Sequence, residues 1–168
     1  MAVNTERQLV SFKIAGQEFG LDIGEVQEII KIPEITRVPK APEFVEGIIN
    51  LRGGVLPVID SRRRFNLEAG KQEDSNRILV VNVEGKRTGI IVDSVSEVLR
   101  LPEDAIEPAP SLIGSGAEYL EGIGKLKEGR RLISLLNLQR FLSSIEGMDE
   151  FSENLDSATK QGEEDQMD

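Results

Sequence analysis

Residues 9–41 can be laid on residues 78–110 without a gap, at a constant offset of 69. The positions that agree include those that govern backbone geometry. Gly16 falls on Gly85, Gly20 on Gly89, Pro33 on Pro102 and Pro39 on Pro108, and Val26/Val95, Glu28/Glu97 and Glu34/Glu103 match as side chains. Glycine opens positive φ and proline fixes φ, so their recurrence at one offset implies that the chain traces the same path twice. With a few inserted residues the match continues, Glu46-Gly47-Ile48 against Glu121-Gly122-Ile123 and Val58-Ile59-Asp60 against Leu135-Leu136-Asn137. The chain is therefore expected to contain two copies of one unit of about 65 residues.

The unit is β-rich. Val10, Phe12 and Ile14 alternate with polar neighbours, and Phe19, Leu21 and Ile23 do so after the turn Ala15-Gly16-Gln17. The second copy repeats this, with a strand over 78–83, a turn at Glu84-Gly85-Lys86 and a strand over 88–92. Val26, Ile29 and Ile30 are spaced by three and four, which predicts a short helical turn within 24–30. Pro33, Pro39 and Pro42 exclude a long helix in the next stretch, and 42–45 can form one helical turn with Pro at its start. Residues 48–52 and 55–59 flank Gly53-Gly54, a hairpin signal, because primed turns require positive φ. Pro57 suits an edge or bulge position in the second of these strands. Asp60 is placed to cap a short helix over 62–65, residues 66–76 are polar and read as a linker, and 138–145 has helical spacing. Short strands at this spacing, joined by Gly turns, predict a small closed barrel in each copy, the two packed over an apolar seam.

Composition limits the chemistry. There is no Cys and no His, which removes disulfides, thiol and imidazole catalysis and the usual zinc and haem ligand sets, so no metal and no cofactor is expected. Aromatics are 4% with no Trp, which predicts an aliphatic core. No basic segment followed by an apolar one opens the chain, and no stretch approaches about 20 apolar residues, so a cytoplasmic protein without membrane insertion is expected. The net charge of −10 is concentrated at the end: residues 146–168 hold nine acids and one base, an acidic tail expected to be disordered. The nearly balanced remainder offers no basic surplus for phosphates, which argues against nucleic acid as a partner.

Few residues are candidates for chemistry. Glu46 and Asp60 could form an acid–base pair, but nothing nearby predicts a perturbed environment. Arg62-Arg63-Arg64 could hold phosphates, although the solvated face of a short helix is the simpler expectation. Gly53-Gly54 lacks the Lys and Ser/Thr of a phosphate loop. Glu28 and Arg52 are the most specific polar pair, either two solvated surface charges or a guanidinium fork held on a rigid hairpin for a partner.

The text Val26-Gln27-Glu28-Ile29-Ile30, Thr36-Arg37-Val38-Pro39, Phe44 through Gly53 (with Asn50-Leu51-Arg52-Gly53) and Pro57-Val58-Ile59-Asp60 resembles the CheW family of chemotaxis coupling proteins. The second copy fits too, in residues 89–99 and Tyr119-Leu120-Glu121-Gly122, so the resemblance covers about 7–145. It implies an all-β fold of two pseudo-repeated five-stranded SH3-like barrels over a shared hydrophobic core, with short helical segments and a C-terminal helix. The first barrel would take 11–76, the second 7–10 plus 77–145. It implies a non-catalytic adaptor that joins the cytoplasmic tips of chemoreceptors to the regulatory domain of the histidine kinase CheA, in membrane-associated arrays that also contain other copies of the adaptor. Val26, Glu28 and Arg52 match residues linked in the family to receptor binding, with Ile29, Leu51 and Val95 added as neighbours. Val38, Phe44, Gly47 and Ile48 match the region of kinase contact. A barrel-type enzyme or small-ligand carrier is the alternative of another class. A CheV-like relative or the kinase's own regulatory domain would need a further domain in the chain.

Overall fold

Three two-residue turns set the strand hairpins. Ala15 (φ 52°) precedes Gly16 (80°), Arg52 (53°) precedes Gly53 (78°), and Glu84 (53°) precedes Gly85 (80°). Positive φ at both central positions makes each a type I′ turn, whose twist matches that of the strands it joins. In this computed structural model, which describes residues 5–110 and 116–143, these turns link β1 (Glu6–Ile14) to β2 (Gln17–Asp22), β4 (Val45–Leu51) to β5 (Gly54–Asp60), and β6 (Arg77–Val83) to β7 (Lys86–Val92). The other strands are β3 (Val26–Lys31), β8 (Ser94–Pro102), β9 (Ile106–Glu107), β10 (Leu120–Leu126) and β11 (Arg131–Leu136). Helix α1 (Ser61–Arg64) follows β5 and α2 (Leu138–Ser143) follows β11. The acidic tail 146–168 lies outside the described residues.

The strands form two sheets, in the orders β3-β6-β7-β5-β4 and β8-β1-β2-β11-β10-β9. Replacing each strand of the first sheet by its repeat partner yields the second, with the isolated Thr36–Ile48 bridge standing where β9 stands. The irregularities repeat as well. Gln27 is the extra residue of a β-bulge between Val26 and Glu28, and Ser96 is the extra residue between Val95 and Glu97. Glu46 before Gly47 and Glu121 before Gly122 form a second matched pair of bulges. The Val26/Val95 and Glu28/Glu97 matches at offset 69 therefore mark places where the ladder slips, a feature of local backbone design. This is the architecture of two pseudo-repeated SH3-like barrels.

The sheets do not follow the division of the chain at residue 76. The whole hairpin β1–β2 joins β8–β11, and the hairpin β6–β7 joins β3–β5. Two short parallel ladders make the junctions, Val58–Asp60 of β5 on Gly89–Ile91 of β7 and Ser134–Leu135 of β11 on Phe19–Gly20 of β2. The expectation that only residues near 7–10 cross over thus extends to β1 and β2 entire, and a reciprocal crossing of β6–β7 accompanies it. Pro57 sits just before the β5–β7 ladder begins at Val58, where its missing N–H costs that ladder nothing.

The core has three parts. Ile49, Leu56, Val58, Ile78 and Val80 fill one barrel, and Leu9, Leu101, Ile133 and Leu135 fill the other. The largest cluster lies between them and draws on both sheets, with Phe12, Ile14, Leu79, Val81, Ile90 and Phe141 among its members. β6 explains the apolar run of the second copy: Ile78 and Val80 point into a barrel while Leu79 and Val81 point into the seam, so both faces are covered. The core is not purely aliphatic, because the sparse aromatics converge. Phe65 lies 5.4 Å from both Phe19 and Phe141 and 5.7 Å from Tyr119, closing one end of the seam.

Some local expectations change. Residues 23–25 form a single 3-10 turn, but Val26–Lys31 is a strand, and Ile23 is exposed rather than in line with Phe19 and Leu21. Residues 42–45 make a β-turn, Val45 N–H donating to the Pro42 carbonyl at 2.9 Å, in place of a helical turn. Asp60 caps α1 as expected, accepting from the Arg62 N–H at 3.0 Å, and its repeat partner Asn137 accepts from the Arg140 N–H at the start of α2. No helix among the described residues is long and apolar enough to cross a membrane.

Candidate partner-binding site

The β4–β5 turn is Leu51-Arg52-Gly53-Gly54, one residue earlier than a Gly53-Gly54 centre would put it, with Leu51 paired to Gly54. Arg52 therefore occupies the first left-handed position. A left-handed backbone costs a residue with a Cβ roughly 1 kcal/mol, and Asn, Asp or Gly would serve the turn better. Its side chain is 74% exposed, and Nη2 donates to Glu28 Oε1 at 2.8 Å. Glu28 directly follows the bulge of β3 and takes a half-buried position on that strand. An exposed pair of this kind contributes at most about 1 kcal/mol to stability. Its chemical content is orientation: Glu28 occupies one edge of a guanidinium that carries five N–H donors, leaving the rest for another acceptor.

The other candidate residues of this set are spread over both sheets. Val26 is half-buried against the seam cluster, Ile29 is 41% exposed on the same strand, and Leu51 packs half-buried on the barrel core below Arg52. Val95 sits on β8 of the other sheet, at the matching bulge, and packs against the seam cluster as Val26 does. The site thus has a polar centre on one barrel and apolar positions on both sides of the seam.

The second candidate set lies where residues 32–44 fold back on β4. Phe44 packs on the seam, lies 5.5 Å below the Arg64 guanidinium, and its carbonyl accepts from the Asp60 N–H at 2.8 Å. Ile48 exchanges two backbone hydrogen bonds with Thr36, of 2.8 and 2.9 Å, and Val38 is half-buried nearby in sequence. Gly47 is buried, so its contribution here is to allow this close approach of two backbone segments.

The Arg62-Arg63-Arg64 run is not a solvated face. Arg62 forms a two-bond fork on Asp93, at 2.9 and 2.6 Å, and Asp93 also accepts from the Ala15 N–H at 2.8 Å. Arg63 lies between Glu46 and Asp60, at 3.5 and 3.6 Å. Arg64 stacks 4.1 Å over the Tyr119 ring and donates from Nε to the Phe141 carbonyl at 3.0 Å. Each arginine of this four-residue helix is half-buried and bound to a partner, which residue type alone does not disclose. The Glu46–Asp60 couple is bridged by Arg63, and Asp60, pushed up chiefly by burial, is used as a helix cap. Both line a cavity of about 110 Å³ beside Arg62 and the linker, in which the charges neutralise one another.

The Arg62 fork holds Asp93 below the usual carboxylate range, helped by the Ala15 N–H. A depressed carboxyl contributes stability above its unfolded pKa and loses it as pH falls through the folded value. Asp93→Asn is expected to cost about 2 kcal/mol at pH 7. The difference from the parent should shrink toward zero as pH drops below about 4. Urea unfolding of both proteins at pH 7 and pH 3 checks this, and a pH-independent gap would refute it.

The chain was then compared with known proteins. The family model for the CheW-like domain matches residues 8–146. The chemotaxis protein CheW of Treponema pallidum is 36% identical over 152 residues, covering 87% of this chain and 88% of that protein. The chemotaxis protein CheW of Klebsiella aerogenes is 36% identical over 141 residues, 83% of this chain and 84% of that one. Among solved structures, that of the scaffolding protein TtCheW from Thermoanaerobacter tengcongensis superposes with a TM-score of 0.78 at 37% identity, covering 85% of this chain and 96% of it. With matched bulges, paired barrels and these relatives in agreement, the chain belongs to the CheW family of chemotaxis proteins, which are non-catalytic adaptors.

Proposed function

We propose that this chain couples chemoreceptor cytoplasmic tips to the regulatory domain of the kinase CheA, in the cytoplasm and within membrane-associated arrays that hold further copies of the adaptor. The observation that carries the reading is Arg52. The turn pays about 1 kcal/mol for a left-handed residue with a side chain, yet that side chain is 74% exposed and its ion pair among the described residues is with Glu28. Ala15 and Glu84 take the same φ in the sister turns, so the strain marks a functional position here only because Arg52 adds to it a long, exposed cation held by Glu28. A receptor helix would lay an apolar stripe against Val26, Ile29, Leu51 and Val95, and Arg52 would bond a carboxylate or carbonyl on it, oriented by Glu28. The kinase domain would meet the other face, through Val38, Phe44 and Ile48 with Gly47 shaping the backbone beneath.

The test uses a receptor cytoplasmic fragment and the full chain. Arg52→Ala is expected to weaken binding by at least about tenfold and Glu28→Ala by somewhat less. Arg52→Gly should lose binding equally while holding or raising stability by about 0.5–1 kcal/mol, because it relieves the turn. Unchanged binding by Arg52→Ala and Glu28→Ala would sink the reading. A stability loss in Arg52→Gly would remove the strain argument.

A further inference from the structure

The two barrels can be compared at the place where the Arg52 lip sits. Glu28 and Glu97 are repeat partners, each directly after a bulge. On its barrel Glu97 is bound by Arg131 at 2.7 Å, and Arg131 also grips Glu18, with Nε 3.0 Å from Oε2. Arg131 is only 26% exposed and is bonded to two carboxylates through Nε and Nη2, while Glu97 stays 52% exposed. Glu18 is in turn held below the usual carboxylate range, first by Arg131.

At the matching place on the other barrel the charges are exchanged. The repeat partner of Glu18 is Arg87 and that of Arg131 is Gly54. The missing side chain at Gly54 leaves room: a Cβ there would lie 3.3 Å from Arg87 Nη1. Arg87 therefore lies against the backbone of the turn that carries Arg52. Its side chain is partly buried and makes no ion pair or hydrogen bond with any described residue, while its backbone pairs with Asn82 of β6. One end thus gathers two carboxylates bonded to Arg131, with Lys13 across the strand pair from Glu18. The other gathers two cations and one carboxylate, with Arg87 left over.

We propose that Arg87 is a second cationic contact of the Arg52 lip, and that it makes this lip selective for an acidic helical face presenting at least two carboxylates. The inference rests on the receptor-binding reading and names the chemistry of that partner surface. A partly buried guanidinium without a carboxylate is costly in the free protein and becomes favourable when a partner supplies one. The pseudo-symmetric end, with its arginine already neutralised and Glu97 exposed, cannot bind the same surface.

The experiment measures the affinity of the full chain for a receptor cytoplasmic fragment across a salt series. The proteins are the parent, Arg52→Ala, Arg87→Ala, Arg87→Lys and Glu97→Gln, each checked by thermal unfolding. Arg87→Ala is expected to weaken binding about tenfold at low salt and to flatten the salt dependence. Arg87→Lys should keep the salt dependence with a smaller loss, and Glu97→Gln should bind as the parent does. If Arg52→Ala weakens binding and Arg87→Ala and Arg87→Lys do not, this inference fails and the receptor reading stands. If Arg52→Ala also binds normally, the receptor reading itself fails. Equal weakening by Arg87→Ala and Glu97→Gln would reduce the effect to general surface charge and overturn the proposal. Should Arg87→Ala unfold, Arg87→Lys decides: a lysine variant with parental affinity and parental salt dependence refutes the contact.

Discussion

Gly47→Ala is expected to destabilise the fold by about 3 kcal/mol, near the upper end of overpacking losses. A Cβ at Gly47 would stand 2.2 Å from the Thr36 carbonyl oxygen and 2.7 Å from Ile35 Cγ2, and the backbone there has φ +157°. The obstacle is backbone, which cannot swing aside as a side-chain tip can. Retreat of residues 35–36 would break both Thr36–Ile48 hydrogen bonds, each worth about 1 kcal/mol. The repeat partner Gly122 faces the Glu107 carbonyl at 2.7 Å, a looser approach, so Gly122→Ala should cost less. Urea unfolding and a melting-temperature drop of roughly 10 °C for Gly47→Ala are the readouts. An unchanged urea midpoint would remove the structural role. The result also bears on the kinase face, since a Gly47 substitution that abolishes kinase binding would first have to be shown folded.

Phe141→Ala should be comparably severe, about 3–5 kcal/mol. Phe141 is fully buried, packs at 5.4 Å from Phe65 and edge-on at 5.8 Å from Tyr119, and closes the seam from α2. Removing it leaves a void between rings that arrive from three separate parts of the chain, which a collapse of one element cannot fill. The Arg64 guanidinium, 5.7 Å from the Phe141 ring, would lose one of its aromatic faces as well. Phe141→Leu should lose only about 1–2 kcal/mol, because most of the volume is kept. A loss under about 1 kcal/mol for the alanine variant would mean that α2 is not part of the cooperative core.

Much of this fold is legible in the sequence wherever the determinant is local. Gly16 and Gly85 announce their turns, Asp60 announces its helix, and the offset of 69 announces a doubled architecture. β3 is misread for a specific reason. Its burial alternates strictly, but one inward slot belongs to Glu28, so the apolar residues that remain, Val26, Ile29 and Ile30, mimic helical spacing. The residue that breaks the pattern is one proposed for binding, and functional positions are where local preference is overridden. The turn register is misplaced by one for the same reason, since no propensity would seat arginine at a left-handed position when two glycines follow. The ion-paired ends of the barrels and the exchanged hairpins were not legible, because they depend on non-local parallel pairings of two or three residues that leave no periodicity behind.

That exchange has a consequence for how far the two ends of one small molecule can differ. Each sheet is completed by a hairpin from the opposite half of the chain, so the topology is that of a homodimer whose subunits trade an arm, closed into a single polypeptide. In a true homodimer every substitution would appear twice, and the two ends could never differ. Fusion frees the copies to diverge while the traded arms keep them one folding unit. The molecule can then keep a twofold skeleton under an asymmetric skin, with arginines gathered at one end and carboxylates at the other.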